Sequence, residues 1–401
     1  MRVLLLNLYY PPDTSATAKM AHAVVDRLSL VHPVTVLCGR PSYDTTERRE
    51  WRLSQSETVG LARIVRVGAT AFPRFDMKKR VLNYLSYTVL AVLRALFIRC
   101  DVVLAMTDPP FQGIVGALVA MLKRRPYVYN IRDLYPEMAV GGSIVGRGWL
   151  TRLWEKLHRW ALRRASKVVV LGEDMRARII AKGVDPSRVV VIRDGAEIWP
   201  PGTPLPAPDP EVVRAIRADF SFVLLHAGNL GFYGAWSTLV TAARKLANQG
   251  VGLVFVGEGA QRAEVQAAAT GAENIRFLDY FPSNKIQSVL AAPDAHVVTV
   301  KRGLEGVVVP SKMYGILAAG KPIVAVAPNE ADVVSLGVAQ GFAVDADPDK
   351  PAELESAIRE LLADMNKLRT MGDAARAAAP AYDRFGELQK FVQIIDEFSP
   401  H

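Results

Sequence analysis

Short apolar runs recur along the first half of the chain, at residues 3–8, 34–37, 102–106, 127–131, 167–171 and 189–192, and a longer amphipathic stretch follows each. Strands that alternate with helices of this length predict βαβ units and a parallel sheet. Residues 199–210 then hold six prolines in twelve positions, which marks a stiff boundary. Beyond it the pattern restarts at residues 222–226, 251–256, 275–277, 295–300, 322–327 and 341–344, with helical stretches between, among them 236–249 and 312–319. The expected organisation is a first domain at 1–198, a second at 199–382, and a terminal helix within 383–401 that could belong to either half, crossing back to the first domain in one of the two arrangements. The fold class is α/β, with two doubly wound domains facing across a cleft and ligands beyond the carboxyl ends of the strands.

Composition narrows the class. The chain has 401 residues, 50% of them hydrophobic and 22% charged, which excludes a disordered chain. Two cysteines, Cys38 and Cys100, are too few for a disulfide framework and are not at a metal-ligand spacing, so a reducing, cytoplasmic setting fits. Charge is divided unevenly: residues 1–200 carry 31 Lys and Arg against 17 Asp and Glu, and residues 201–401 carry 18 against 23, so a net +14 faces a net −5. A basic half suggests a polyanionic partner: nucleic acid, an anionic membrane surface or a phosphorylated substrate.

Residues 1–10 end at Pro11 and Pro12 and read as a strand, not a signal peptide. Residues 81–98 are apolar but short for a span and carry Arg94. Just before them, Phe72, Phe75 and Met77 sit beside Arg74, Lys78, Lys79 and Arg80, the composition of an interfacial element held by anionic headgroups. Phe75, Lys78, Lys79 and Arg80 are therefore expected at a membrane surface, with a buried helix that has a solvated basic start as the other reading.

Three loops of the second half point to phosphate. His226-Ala227-Gly228-Asn229-Leu230-Gly231 follows a strand and leads into a helix, where glycines let backbone approach a ligand. Gly257-Glu258-Gly259 and Val309-Pro310-Ser311-Lys312-Met313-Tyr314-Gly315 lie in matching places. Ser311 is the expected N-cap of the helix that follows, and Lys312 in its first turn runs against the helix dipole, so it is aimed at an anion.

These loops, with the continuation to Ala318-Ala319-Gly320-Lys321-Pro322, resemble the C-terminal domain of glycosyltransferase family 4, which has the GT-B fold. Tyr10-Pro11-Pro12, Thr107-Asp108-Pro109-Pro110, Arg132-Asp133-Leu134-Tyr135-Pro136-Glu137 and Asp194-Gly195-Ala196-Glu197 are similar to the N-terminal domain of its bacterial polysaccharide and O-antigen branch, which includes fucosamine transferases. The resemblance implies a retaining transferase that needs no metal or other cofactor. Its donor would be a nucleotide-diphosphate sugar, UDP favoured over GDP, on the second domain. Its acceptor would be a lipid-linked saccharide met by the first domain, at the inner face of the cell membrane.

Departures from the family pattern shape the site assignment. The family's two glutamates fall at Val307 and Gly315, so Glu305 is expected to serve the donor sugar, and Glu258 or backbone groups the ribose. The family's arginine and lysine for the diphosphate fall at Asn229 and Gly234, so Lys312 is the replacement, supported by the amides of residues 228–231, with Lys301 and Arg302 in reserve. Residues 278–281, including Tyr280, would face the base, and Ser15 and Thr14 the donor phosphate. Arg132 stands where relatives have a histidine, and Asp133 or Glu137 would take the acceptor's proton. A GT-B epimerase and a basic nucleic-acid-binding protein are the competing readings.

Overall fold

A computed structural model of the protein describes residues 1–41, 52–70, 72, 77–198 and 205–399. The chain separates into two compact units, the first comprising residues 1–140, 145–192 and 386–401 and the second 141–144 and 193–385.

Eight strands form the sheet of the first unit: β1 (Val3–Leu6), β2 (Val34–Cys38), β3 (Ser54–Val59), β4 (Ala62–Val67), β5 (Val102–Ala105), β6 (Tyr127–Asn130), β7 (Lys167–Val170) and β8 (Val189–Val191). Their order is β3-β4-β2-β1-β5-β6-β7-β8, parallel except for the β3–β4 hairpin. Strand β1 is wholly buried and pairs on both sides, Val3 with Val34 and with Val102. Covered on both faces, it has no polar alternation, which is why it reads as a plain apolar run. The hairpin was not expected, because β3 is the polar, mostly exposed edge segment Ser-Gln-Ser-Glu-Thr-Val. It turns at Gly60, whose φ of 58° lies in the left-handed region.

The core on one face of this sheet joins Val3, Leu5, Val36 and Leu104 to Val24, Val25 and Leu28 of the helix Ala16–Ser29. Leu388, Phe391 and Ile395 of the last helix, Arg384–Asp396, complete the same cluster. An ion pair of Glu397 with Lys167 at 2.8 Å and a contact of Asp396 with His32 Nε2 at 3.2 Å pin that end of the chain.

The second unit holds a parallel six-stranded sheet: β9 (Phe222–Ala227), β10 (Val251–Val256), β11 (Ile275–Leu278), β12 (Ala295–Thr299), β13 (Ile323–Val326) and β14 (Ala343–Ala346). The order is β11-β10-β9-β12-β13-β14, so the winding direction reverses between β9 and β12. Ligands of doubly wound sheets bind outside the carboxyl ends at such a reversal. The glycine loop leaves β9 at that point, and the loop that leads to Lys312 leaves β12.

Phe391 is 3% exposed and lies in the core described above. Phe391→Ala is expected to destabilise the first unit by about 3 to 5 kcal/mol. The measurement is the urea midpoint of that unit, which should fall at unchanged slope.

Candidate functional site

At the end of β9 the backbone turns through Gly228, whose φ is 135°, and its amide bonds back to the Val256 carbonyl at 2.8 Å. The next loop turns at Gly257, φ 138°, and a Cβ there would lie 2.2 Å from the Gly228 carbonyl oxygen. Only glycine permits two loops to approach this closely with that backbone. The amide of Leu230 donates to the Glu258 carbonyl at 2.8 Å and the amide of Gln261 to the Leu230 carbonyl at 2.9 Å, which ties the loops together. Side chains fix the rest: the Trp236 indole N–H donates to the Gly231 carbonyl at 2.8 Å and the Tyr233 hydroxyl to that of Asn229 at 2.5 Å.

Lys312 enters this pair of loops from the start of the helix Lys312–Ala318. A Cβ on Gly228 would sit 3.2 Å from its Nζ, so the amine lies against the glycine turn. The same Nζ is 3.0 Å from Nε2 of the buried His226. Burial pushes the Lys312 amine down to about 7. Burial, and then the neighbouring amine, drives His226 well below its usual range, so the ring stays neutral. Edge-to-face contact with Trp236, centroids 4.8 Å apart, completes its surroundings. Among the described residues no carboxylate forms an ion pair with Lys312.

The remaining donor residues divide. Asn229, Leu230, Gly231, Gly257 and Glu258 belong to the tied loops, and the Tyr280 ring closes on Gly257, where a Cβ would be 3.1 Å from Cε1. The Glu258 carboxylate is ion-paired with Arg262, which also holds Asp279 at 2.8 Å. Val309 and Pro310 are buried before Ser311 and Lys312, and Gly315 lies in the helix. Ser311 stands at the cap position, but its side chain makes no capping bond, contrary to expectation. Glu305 accepts the Gly303 amide of its own loop at 2.7 Å. Arg302 is committed to Asp347 and Asp349 at 2.8 and 2.7 Å, which removes it from the reserve.

In the first unit Ser15 caps the helix Ala16–Ser29, its hydroxyl oxygen accepting the Ala18 amide at 3.0 Å. Arg132 and Asp133 follow β6, with the Arg132 amide bonded to Thr107 Oγ1 at 3.3 Å. Glu137 is ion-paired with Lys182, which also holds Glu155 at 2.8 Å and is 7% exposed. Phe75 lies outside the described residues, and only the backbone of Lys78 is described. Lys79 is exposed. Arg80 turns inward, against the expectation that it faces a membrane: its guanidinium bonds the Tyr84 hydroxyl and lies 5.4 Å from the centre of that ring. With Arg132 it offsets the charge of the half-buried Asp108, whose carboxyl desolvation pushes up. His226 carries more of the donor-side geometry than its place in the glycine motif suggested, since nothing local shows that a residue eighty-six positions on meets its ring.

Two domain families match the chain, Glycosyl transferase 4-like domain over residues 15–195 and Glycosyl transferases group 1 over residues 221–364. Together the two domain families cover most of the chain, which is a glycosyltransferase of family 4 with the GT-B fold. Among similar glycosyltransferases, WbjE of Pseudomonas aeruginosa is 27% identical over 304 residues, 74% of each chain. WcaI of Escherichia coli K12, whose name assigns it to colanic acid biosynthesis, is 25% identical over 414 residues, 98% of this chain and 100% of that one. The crystal structure of HepE from Anabaena in complex with UDP superposes with a TM-score of 0.69 at 18% identity, covering 99% of this chain and 100% of that one. The loops tied around Lys312 lie within the second matched range.

An amine that titrates near 7 when free and must be charged to hold an anion gives full affinity below that pH and loses it above. Binding of inorganic pyrophosphate is therefore expected to weaken between pH 7 and 9, by up to about tenfold per unit, with proton uptake on binding. Calorimetry in buffers of different ionisation enthalpy measures both, and Lys312→Met should abolish the dependence.

Proposed function

We propose that this glycosyltransferase retains anomeric configuration and moves a hexose from a UDP-sugar to a hydroxyl of a lipid-linked saccharide at the inner face of the cell membrane, without a metal ion. The observation that carries the reading is the Lys312 amine, held against the Gly228 turn and 3.0 Å from a neutral imidazole, without a carboxylate among the described residues. A diphosphate seated on the glycine loops would supply the missing counter-charge.

The chemistry follows from where charge grows. As the bond from the sugar to the leaving diphosphate stretches, negative charge builds on the phosphate oxygens, and a fixed cation there stabilises the transition state more than the ground state. Lys312 fills the part that a metal ion plays in other diphosphate departures. Front-face attack by the acceptor needs positioning more than a protein nucleophile. Glu137, which is held by Lys182, or Asp133 would orient the incoming hydroxyl. The UDP base is chosen over GDP because HepE is seen with UDP and with UDP-glucose. The colanic acid biosynthesis in the name of WcaI supports a saccharide acceptor.

Lys312→Ala is expected to lower turnover about 100-fold or more, the range for removing one oxyanion donor. Turnover assayed beside a thermal melt checks it. A drop under about threefold in a folded variant overturns the role. In a thermal-shift panel of UDP, GDP, dTDP and ADP, UDP should raise the midpoint most, by mass action.

A further inference from the structure

At the amino edge of the first sheet the starts of β1, β5 and β6 lie side by side, since Val3 pairs with Val102 and Val103 with Tyr127. The residues just before these strands, with the carboxyl ends of the helices Met77–Leu96 and Gln112–Lys123, enclose a cleft of about 520 Å³. That size falls within the usual range for small-molecule sites. Four cations line it, Arg2, Arg99, Lys123 and Arg125, and Leu96 and Leu122 add an apolar wall. Lys123 bridges the two helix ends by donating to the Leu96 carbonyl at 3.2 Å. The helix Gln112–Lys123 stops at Arg124, whose φ of 53° is left-handed, a place that glycine usually takes, and Arg125 follows into the cleft.

The helix ends account for part of this charge. A helix carboxyl terminus carries the equivalent of about −0.5 charge, so two of them offset about one cation of the four. Asp101 offsets another: its carboxylate accepts the Arg2 guanidinium at 2.8 and 3.0 Å and the Arg2 amide at 2.9 Å, and these bonds hold it well below the usual carboxylate range. About two positive charges are left over. Among the described residues no carboxylate pairs with Arg99, Lys123 or Arg125, and Arg99 and Arg125 are exposed. Cations gathered in one concave site raise the local concentration of anions. Three of the four are arginines, whose planar fork matches two phosphate oxygens at once. They come from three separate stretches of chain, which suits several linked phosphates better than one. Among the described residues no aromatic side chain lines the cleft, so a nucleobase would have no ring to stack on.

We propose that this cleft binds a soluble polyphosphate anion, two or more linked phosphates held by Arg99, Lys123 and Arg125. The site is separate from the donor loops, which belong to the second unit. It is also separate from the carboxyl edge of its own sheet, where Arg132 and Asp133 emerge, because the four residues of β6 put about 13 Å between the two edges. The inference goes beyond the donor reading and does not rest on it.

The test is calorimetric titration of the full chain with sodium tripolyphosphate beside saturating UDP, which keeps the donor loops filled. One further binding event is expected. Arg99→Gln with Arg125→Gln should weaken it about tenfold or more. Arg152→Gln with Lys156→Gln, an equal loss of charge on the helix Trp149–Arg164, should leave it within about twofold. Orthophosphate should bind about tenfold more weakly than tripolyphosphate, and ATP about as tightly as tripolyphosphate. Guanidinium groups keep their charge, so this binding should not weaken between pH 7 and 9, unlike that at Lys312. The replaced side chains are exposed, and both double variants should keep the wild-type melting midpoint. No event beside saturating UDP, unchanged affinity in the Arg99 and Arg125 variant, or an equal loss in the Arg152 and Lys156 variant would each overturn the inference. Displacement of tripolyphosphate by phosphatidylglycerol vesicles would overturn it too, by assigning the cleft to lipid headgroups. If UDP itself does not bind, the donor reading alone fails, and the tripolyphosphate event measured without UDP should still be lost with Arg99 and Arg125.

Discussion

An ammonium group withdrawn from water is costly without a counter-charge, and the second unit is arranged around one. The glycine turn after β9, the loop after β10 and the start of the helix Lys312–Ala318 meet where the Lys312 amine rests against Gly228 and His226. The neutral ring can accept a hydrogen bond from the amine but cannot balance its charge. The free enzyme thus holds a site half complete, and the depressed basicity of the amine is the trace of that incompleteness. The glycines, the indole of Trp236 and the hydroxyl of Tyr233 hold the turn in place, so little rearrangement is needed when an anion arrives.

The first unit spends its charges differently. Lys182 serves two glutamates beneath the loop after β6, and Arg80 with Arg132 offsets Asp108 at the carboxyl edge of the sheet. In the second unit Arg302 is clamped by Asp347 and Asp349, which anchors the segment that leads toward Lys312. These cations are paired, whereas Lys312 has no carboxylate partner among the described residues.

How much of this was legible depended on whether the deciding contact was local. Buried parallel strands show as apolar runs, so β1, β5, β9 and β10 could be placed from sequence, whereas the edge strand β3 could not, because its residues are polar on both sides. The glycine loops and Lys312 were readable as motifs. The capping bond of Ser15, the capture of Glu137 by Lys182 forty-five residues away, and the inward turn of Arg80 were not, since each is set by tertiary neighbours. The row Leu82, Leu85, Val89 and Leu93 shows a further limit: apolar periodicity reveals a face but not which side of the helix meets the protein, and here tyrosines and alanines took the inner side.

The return of the last helix to the first unit has a consequence for biogenesis. Leu388, Phe391 and Ile395 fill a core whose other walls are translated before residue 193, and nearly all of the second unit is synthesised in between. On the ribosome the earlier unit must wait with an open apolar flank until synthesis is nearly finished, so folding cannot proceed strictly from the amino terminus. A chain cut short by even its final turns would lose integrity at the end that was made first.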